Sequence, residues 1–170
     1  MKPPLFLVSG PPGAGKTTLC RALIARFERG LHLPMDDLRG WVISGMADSV
    51  PWTAETERQF RVAEAAAGDI ARRYGDAGFA VAVDHCRNPR RLDEAFEGLD
   101  AVKVLLLPDL ATNLARNRSR TDKPFDPRLL DGTIEFTNSR YRSDVGEGWI
   151  VIDNSDLSVE RTVERILRST

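Results

Sequence analysis

The chain contains 170 residues, which predicts one compact domain spanning residues 1–170. Hydrophobic residues account for 42% and charged residues for 29% of the composition, a balance that excludes disorder, collagen and coiled coil and predicts a globular protein. The formal net charge is −1, so the chain has no overall positive field to attract nucleic acid or an anionic membrane.

The sequence also gives expectations about cellular location and about the cysteines. The longest apolar runs, such as residues 102–108, are too short to span a bilayer, and residues 1–4 show no signal-peptide pattern. We therefore expect a cytoplasmic protein with no membrane association. Cys20 and Cys86 match no metal-binding spacing and no disulfide framework, which predicts two reduced cysteines without a special role.

Apolar runs alternate with longer helical patterns along the whole chain, which predicts an α/β fold with a parallel sheet and crossover helices. In chain order, we expect strands at residues 5–8, 31–35, 79–83, 102–107 and 149–152. Helices are expected at residues 16–28, 37–44, 53–75, 89–97, 109–120, 126–142 and 158–167.

A glycine-rich segment stands between the first predicted strand and the first predicted helix. It fits the pattern G-x-x-x-x-G-K-[ST] with residues Gly10, Pro11, Pro12, Gly13, Ala14, Gly15, Lys16 and Thr17. Such a loop turns backbone amides towards phosphate oxygens at a helix N-terminus, so we expect it to bind a nucleotide together with Thr18. Lys16 would contact the β- and γ-phosphates, and the Thr17 hydroxyl would ligate magnesium.

Because GTPases, motor ATPases and regulators share this loop, other residues must indicate what the nucleotide is used for. Asp36-Asp37-Leu38-Arg39 follows the second predicted strand, where a parallel sheet faces its ligand. Asp36 can accept the proton of an attacking hydroxyl, and Arg39 can orient the acceptor. The alternative is that Asp36 only caps a helix and Arg39 lies on the surface.

A third group of polar residues, 84–91, follows the strand expected at 79–83. Asp84 can hold magnesium through water or form an ion pair with Arg39, or it can be a solvent-facing residue at a strand end. His85 is interpreted as a packing or hydrogen-bonding neighbour rather than a catalyst. Arg91 is a candidate acceptor-binding residue.

A fourth group contains Arg116, Arg118 and Arg120 and precedes a polar loop. Arg116 and Arg120 are four residues apart on a predicted helix, so both can point at one nucleotide and neutralise the charge of a transferring phosphoryl group. Arg118 points elsewhere and is expected to be solvated. Residues 115–127 are therefore a candidate lid.

With these four motifs in this order, the chain resembles the small P-loop kinases that include polynucleotide 5′-hydroxyl kinases, chloramphenicol phosphotransferase and zeta-toxin-like kinases. The resemblance implies a P-loop NTPase fold, a three-layer α/β/α arrangement with a five-stranded parallel sheet. It also implies roles for single residues: Asp36 as general base, Arg39 near the acceptor, Lys16 and Thr17 on ATP and magnesium, Arg120 in the lid and Asn154 beside the adenine.

We therefore predict an ATP- and Mg²⁺-dependent kinase that transfers the γ-phosphoryl group to a hydroxyl of a small molecule. A polynucleotide 5′-hydroxyl is a second possible acceptor, disfavoured by the net charge and by His85-Cys86, which stand where polynucleotide kinases carry small hydroxyl and amide residues. An ATP-binding regulator without an acceptor is the third possible function.

Trp41 and Trp52 flank the expected acceptor region and can stack on an aromatic acceptor or pack in the core. The acceptor's identity, the choice between ATP and GTP and the oligomeric state stay open.

Overall fold

The computed structural model describes residues 3–49, 51–121 and 126–169. Within them, five parallel strands form one sheet in the order β2-β3-β1-β4-β5. The strands are β1 (Leu5–Ser9), β2 (Gly30–Pro34), β3 (Ala80–His85), β4 (Ala101–Leu106) and β5 (Trp149–Ile152). The helices are α1 (Lys16–Ile24), α2 (Met35–Gly40), α3 (Ala54–Asp76), α4 (Pro89–Ala95), α5 (Leu110–Arg118), α6 (Asp131–Asp144) and α7 (Val159–Leu167).

Helices cover both faces of the sheet, because its strands are apolar on both sides. Alternate residues of β1 point to opposite faces: Phe6 and Val8 join α1 and α7 in one core, whereas Leu7 joins α3, α4 and α6 in the other. The three-layer α/β/α arrangement with a five-stranded parallel sheet is therefore confirmed, and its two cores hold the strand ends in fixed positions.

Several helices are shorter than expected. Helix α1 ends at Ile24 because the chain must return to β2, which begins at Gly30. A Cβ atom at Gly30 would lie 1.9 Å from Ile24 Cγ2, so this close approach requires glycine. Helix α2 ends at Gly40 rather than at residue 44.

The helix expected at 126–142 divides into two pieces. Asp126 caps a short 3-10 helix (Pro127–Leu130), and α6 continues from Asp131. The candidate lid at 115–127 lies partly outside the described residues, which omit 122–125. In the described ranges, none of the helices combines the length and apolar character needed to cross a membrane.

Candidate active site

The carboxyl ends of the parallel strands meet at one edge of the sheet, where the candidate residues were expected. The glycine-rich loop follows β1, Asp36 lies in the first turn of α2 directly after β2, and Asp84 is the fifth residue of β3. The register pairs Asp84 with Val8 of β1 on one side and with Pro34 of β2 on the other. The fold thus brings Asp84 between the loop and the segment that carries Asp36.

The glycine-rich loop has the backbone conformation that its glycines permit. Gly10 and Gly13 have φ angles of 154° and 80°, and a Cβ atom at Gly10 would lie 2.5 Å from the Leu106 carbonyl oxygen. Lys16 extends back over the loop, where its Nζ donates to the carbonyl oxygens of Gly10 at 2.9 Å and Pro11 at 3.0 Å. The lysine ammonium therefore lies at the mouth of the loop, where an anion would bind.

Helix α5 supports this loop through two buried asparagines that the sequence analysis missed. Asn113 Nδ2 donates to the Pro12 carbonyl at 2.5 Å, and a Cβ atom at Gly13 would lie 3.0 Å from Asn117 Cβ. Both asparagines are fully buried. The signal available in the sequence was their spacing of four, which places two polar residues on one helix face.

A cavity of about 210 Å³ opens on the other side of the loop, between α1 and α7. Its lining is mainly apolar: Ala14, Gly15, Thr18, Leu19, Arg116, Asn154, Leu157, Val159 and Thr162. Asn154 Nδ2 donates to the Ala14 carbonyl at 3.0 Å, while the buried Asn154 Oδ1 has no partner. Five of the expected nucleotide-binding residues thus share one cavity: Ala14, Gly15, Thr18, Arg116 and Asn154.

Arg116 is anchored to the loop that follows β5. Its Nη2 donates to the carbonyl oxygens of Asn154 at 2.9 Å and Ser155 at 3.0 Å. Helix α5 ends at Arg118, so Arg120 is not on a shared helical face with Arg116 as expected. Arg118 pairs with Asp131 at 2.7 Å instead of remaining only solvated.

Asp84 occupies a nearly buried position and pairs with His32, not with Arg39. His32 Nε2 and Asp84 Oδ2 are 2.7 Å apart. Burial raises the pKa of the Asp84 carboxyl, but the His32 hydrogen bond, the Lys16 charge and the Thr17 hydroxyl outweigh it and bring that pKa below its usual 3.8. The ion pair with Arg39 that the sequence allowed is therefore wrong, because β2 presents a histidine to this carboxylate.

Asp36 and Lys16 act on one common neighbour, the Cys86 thiol. Burial raises the pKa of this thiol, and the Asp36 carboxylate raises it further. The His85 ring and the Lys16 ammonium have the opposite effect, and the net pKa of Cys86 is lower than usual. The charges of Asp36 and Lys16 therefore both influence Cys86, the residue that follows β3.

Arg39 lies on an aromatic surface beside this region. Its guanidinium stands 3.9 Å from the centroid of the Phe60 ring and donates to Ser49 Oγ at 2.9 Å and to the Ala47 carbonyl at 2.8 Å. Both hydrogen-bond partners are uncharged. Trp52 also stacks on the Phe60 ring, with ring centroids 4.9 Å apart, and the Trp52 side chain is half exposed.

Arg91 belongs to a partly buried ion-pair network. Its guanidinium lies 3.4 Å from Glu57, 3.7 Å from Glu64 and 2.5 Å from Glu94. These carboxylates neutralise the positive charge of Arg91. Arg91 therefore attracts a negatively charged acceptor less strongly than Arg39, whose hydrogen-bond partners are uncharged. His85, expected as a hydrogen-bonding neighbour, is buried and bonds to Glu64 at 3.1 Å.

The sequence matches no protein-family model and no curated protein. The fold, however, matches solved structures over nearly its whole length. These include a tunicamycin resistance protein from Deinococcus radiodurans (TM-score 0.71, 21% identity, 98% of this chain and 95% of that chain). They also include a sugar kinase from Janibacter (0.67, 17%, 98% and 93%) and an Acinetobacter baumannii shikimate kinase in complex with shikimate (0.62, 19%, 98% and 92%). The chain therefore has the fold of small P-loop kinases.

Proposed function

We propose that this protein is an ATP-dependent kinase that transfers the γ-phosphoryl group to a hydroxyl of a small molecule, with residues 1–170 acting as one kinase domain. The observation that carries the proposal is the convergence of the phosphate-binding loop, Asp84 and Asp36 at one sheet edge. Fold alone does not assign a reaction, so the argument depends on these residues.

The nucleotide half of the site fits ATP. The loop amides and Lys16 would hold the phosphates, and the cavity between α1 and α7 is mainly apolar, as the face of an adenine requires. The buried Asn154 Oδ1 has no partner, so it can accept a hydrogen bond from the amino group of the base.

The residues Thr17 and Asp84 fit a magnesium ion, because both offer oxygen atoms and Asp84 is ionised at neutral pH. They would hold the ion, which supplies charge neutralisation to the phosphates when bound. Lys16 adds a second positive charge from the loop side. In this arrangement Arg120, two residues beyond the end of α5, would supply a further cation.

Asp36 is the proposed general base. It is exposed in the first turn of α2, and its charge, like that of Lys16, influences the Cys86 thiol. A carboxylate there can take the proton of the acceptor hydroxyl as the phosphoryl group is transferred. Arg39 and the half-exposed ring of Trp52 would form the wall of the acceptor pocket, since Arg39 follows Asp36 on α2 and both side chains lie on the Phe60 ring.

A small acceptor is favoured over a polynucleotide. Arg87 and Arg91 lie near the pocket, but both are paired with glutamates, so they do not form the free basic surface that binds a phosphate backbone. Two proteins of the same fold are a shikimate kinase and a sugar kinase, which act on small molecules by name. This supports, at the level of fold, the same class of acceptor here.

The test is transfer of labelled phosphate from ATP in the presence of Mg²⁺ to a panel of sugars, cyclic hydroxy acids, nucleosides and nucleotide sugars, with a 5′-hydroxyl oligonucleotide in parallel. Lys16→Ala should abolish transfer. Asp36→Asn should slow transfer about 10²–10⁴-fold while ATP binding is retained. Asp37→Asn, which changes the neighbouring acidic residue of the same helical turn, is the matched control and should stay within a few-fold of wild type.

Each outcome separates the candidates. Wild-type rates in Asp36→Asn would remove Asp36 as the base. Salt-sensitive labelling of the oligonucleotide, with no small molecule labelled, would replace the small acceptor by a polynucleotide. Tight ATP binding with no labelled product, together with partner binding that differs between ATP and ADP, would support the regulatory alternative instead.

A further inference from the structure

Three side chains with different ligand atoms meet beneath the phosphate-binding loop. They are Cys20 of α1, His32 of β2 and Asp84 of β3, and one ligand atom from each lies within 4.8 Å of the other two. His32 is in register with Ala82, and Asp84 follows two residues later on the same strand face. Because α1 covers this face, its Cys20 comes to lie over the pair.

The cluster is well shielded from solvent. Cys20 has no exposure, and the side chains of His32 and Asp84 are 13% and 8% exposed. Cys20 is otherwise surrounded by apolar residues of the core that α1 and α7 form with the sheet. An imidazole and a carboxylate in such a place are costly unless they have partners, and here each contacts the other beside a thiol.

The donor set distinguishes this cluster from the magnesium position. Magnesium takes oxygen ligands, which Thr17 and Asp84 provide. A sulfur, a nitrogen and an oxygen instead suit a borderline-soft cation such as zinc, which binds cysteine, histidine and carboxylate in tetrahedral sites.

The distances in the cluster also suit such an ion. Tetrahedral zinc keeps its sulfur, nitrogen and oxygen ligand atoms about 3.3–3.6 Å apart. This separation lies between the 2.7 Å that joins His32 and Asp84 and the 4.8 Å limit that encloses all three atoms. Formation of the site would change the separations of the ligand atoms by roughly 1 Å.

We propose that Cys20, His32 and Asp84 form a binding site for a zinc-like divalent cation that uses Asp84 in competition with magnesium. Three protein ligands leave a fourth position for water. The Cys20 thiol releases its proton to solvent on binding, because the thiolate is the ligand form. Binding of the cation does not depend on the proposed function. Inhibition of phosphoryl transfer by the bound cation, through loss of magnesium from Asp84, rests on the proposed kinase activity.

The binding test uses the full chain without nucleotide and Co²⁺ as a spectroscopic substitute for zinc. Wild type should show a thiolate-to-cobalt charge-transfer band in the near ultraviolet and visible bands of a tetrahedral ion, both removed by equimolar Zn²⁺. Cys20→Ser should lose the thiolate band and bind zinc at least about 100-fold more weakly, since even residues that only orient a ligand contribute 10–100-fold.

The second cysteine provides a matched control. Cys86→Ser should keep the cobalt spectrum and the zinc affinity, because Cys86 is not one of the three ligands. Circular dichroism of each variant checks the fold. Cys20→Ala serves as a second variant that removes the sulfur without adding a hydroxyl. No thiolate band in folded wild type, or equal zinc affinity in wild type and folded Cys20 variants, would overturn the site.

The competition with magnesium has its own measurement. At fixed Mg²⁺ and ATP, the zinc concentration that halves transfer should be at least about 10-fold higher in Cys20→Ser than in wild type, each protein being compared with itself without zinc. Equal inhibition of both proteins would mean that zinc does not inhibit by binding at Cys20, and it would overturn the proposed competition with magnesium for Asp84. If no acceptor is ever labelled, the proposed function fails, and the cobalt result still decides the cation site.

Discussion

Glu64 shows how a single residue links the sheet edge to the helices above it. This carboxylate of α3 is almost fully buried and lies 3.1 Å from His85 Nε2, 3.6 Å from Arg87 Nε and 3.7 Å from Arg91 Nη2. Glu57, two turns earlier on α3, pairs with the same two arginines. One buried carboxylate and one partly exposed carboxylate thus face two guanidiniums at the end of β3 and the start of α4.

Removal of one charge from this network should be costly. We expect Glu64→Gln to lower the free energy of unfolding by about 3 kcal/mol, because the largely buried guanidiniums of Arg87 and Arg91 would lose their one buried carboxylate. Denaturant unfolding of both proteins measures the difference. Glu55→Gln is the control on the same helix: Glu55 is exposed and pairs with Arg58, so its loss should leave stability nearly unchanged.

Equal stability of the Glu64→Gln and wild-type proteins would mean that solvent screens this network more than its burial indicates. A large loss in Glu55→Gln would instead mean that exposed pairs on α3 carry the stability.

At the scale of elements, helix α3 depends on its first turn. Its 23 residues place Phe60, Ala63, Ala67 and Ala71 on the face that covers the sheet. Thr53 caps the helix by accepting from the Thr56 amide at 3.1 Å, and the Thr56 hydroxyl accepts from the Thr53 amide at 3.2 Å. The same turn holds the segment between α2 and α3, because the Thr56 hydroxyl donates to the Asp48 carbonyl at 2.7 Å.

Thr53→Ala should therefore lower the free energy of unfolding by about 1 kcal/mol, because the Thr56 amide loses its acceptor. Thermal unfolding with circular dichroism measures the change. Thr53→Ser keeps the hydroxyl and should remain close to wild type. Were Ala and Ser to behave alike, the side-chain cap would contribute nothing at this helix.

At the scale of the whole molecule, the sheet distributes stability unevenly. Strand β1 has hydrogen-bonded neighbours on both sides and lies between the two cores, whereas β2 and β5 are edge strands with one neighbour each. Local opening requires fewer contacts to break at an edge than at the centre. The loop that would hold phosphate therefore starts from the most firmly held strand.

Native-state hydrogen exchange should reveal this gradient. Amides of β1 and β3 should exchange most slowly, at rates that track global unfolding, while those of β5 should exchange faster through local opening. Protection measured strand by strand, by NMR or by mass spectrometry of peptides, gives the order. Protection of β5 equal to that of β1 would contradict the gradient.

The fold class and the phosphate-binding loop were readable from the sequence because both depend on local patterns. Alternating apolar runs and helical spacings predicted all five strands and the sequence of helices. Helix ends were less well predicted, as for α1 and α5, because they depend on where the chain must turn to meet a neighbouring strand.

The partners of Asp84, Glu64 and the phosphate-binding loop were decided only by the tertiary structure. His32 and Asp84 are 52 positions apart, Glu64 and His85 are 21 apart, and Asn113 and Pro12 are 101 apart. A local pattern indicates which face of an element a residue occupies, but not which distant side chain it meets. Which distant side chains come into contact depends on strand order and helix packing. For this reason the proximity of Cys20 and His32 to Asp84 is evident only in the tertiary structure.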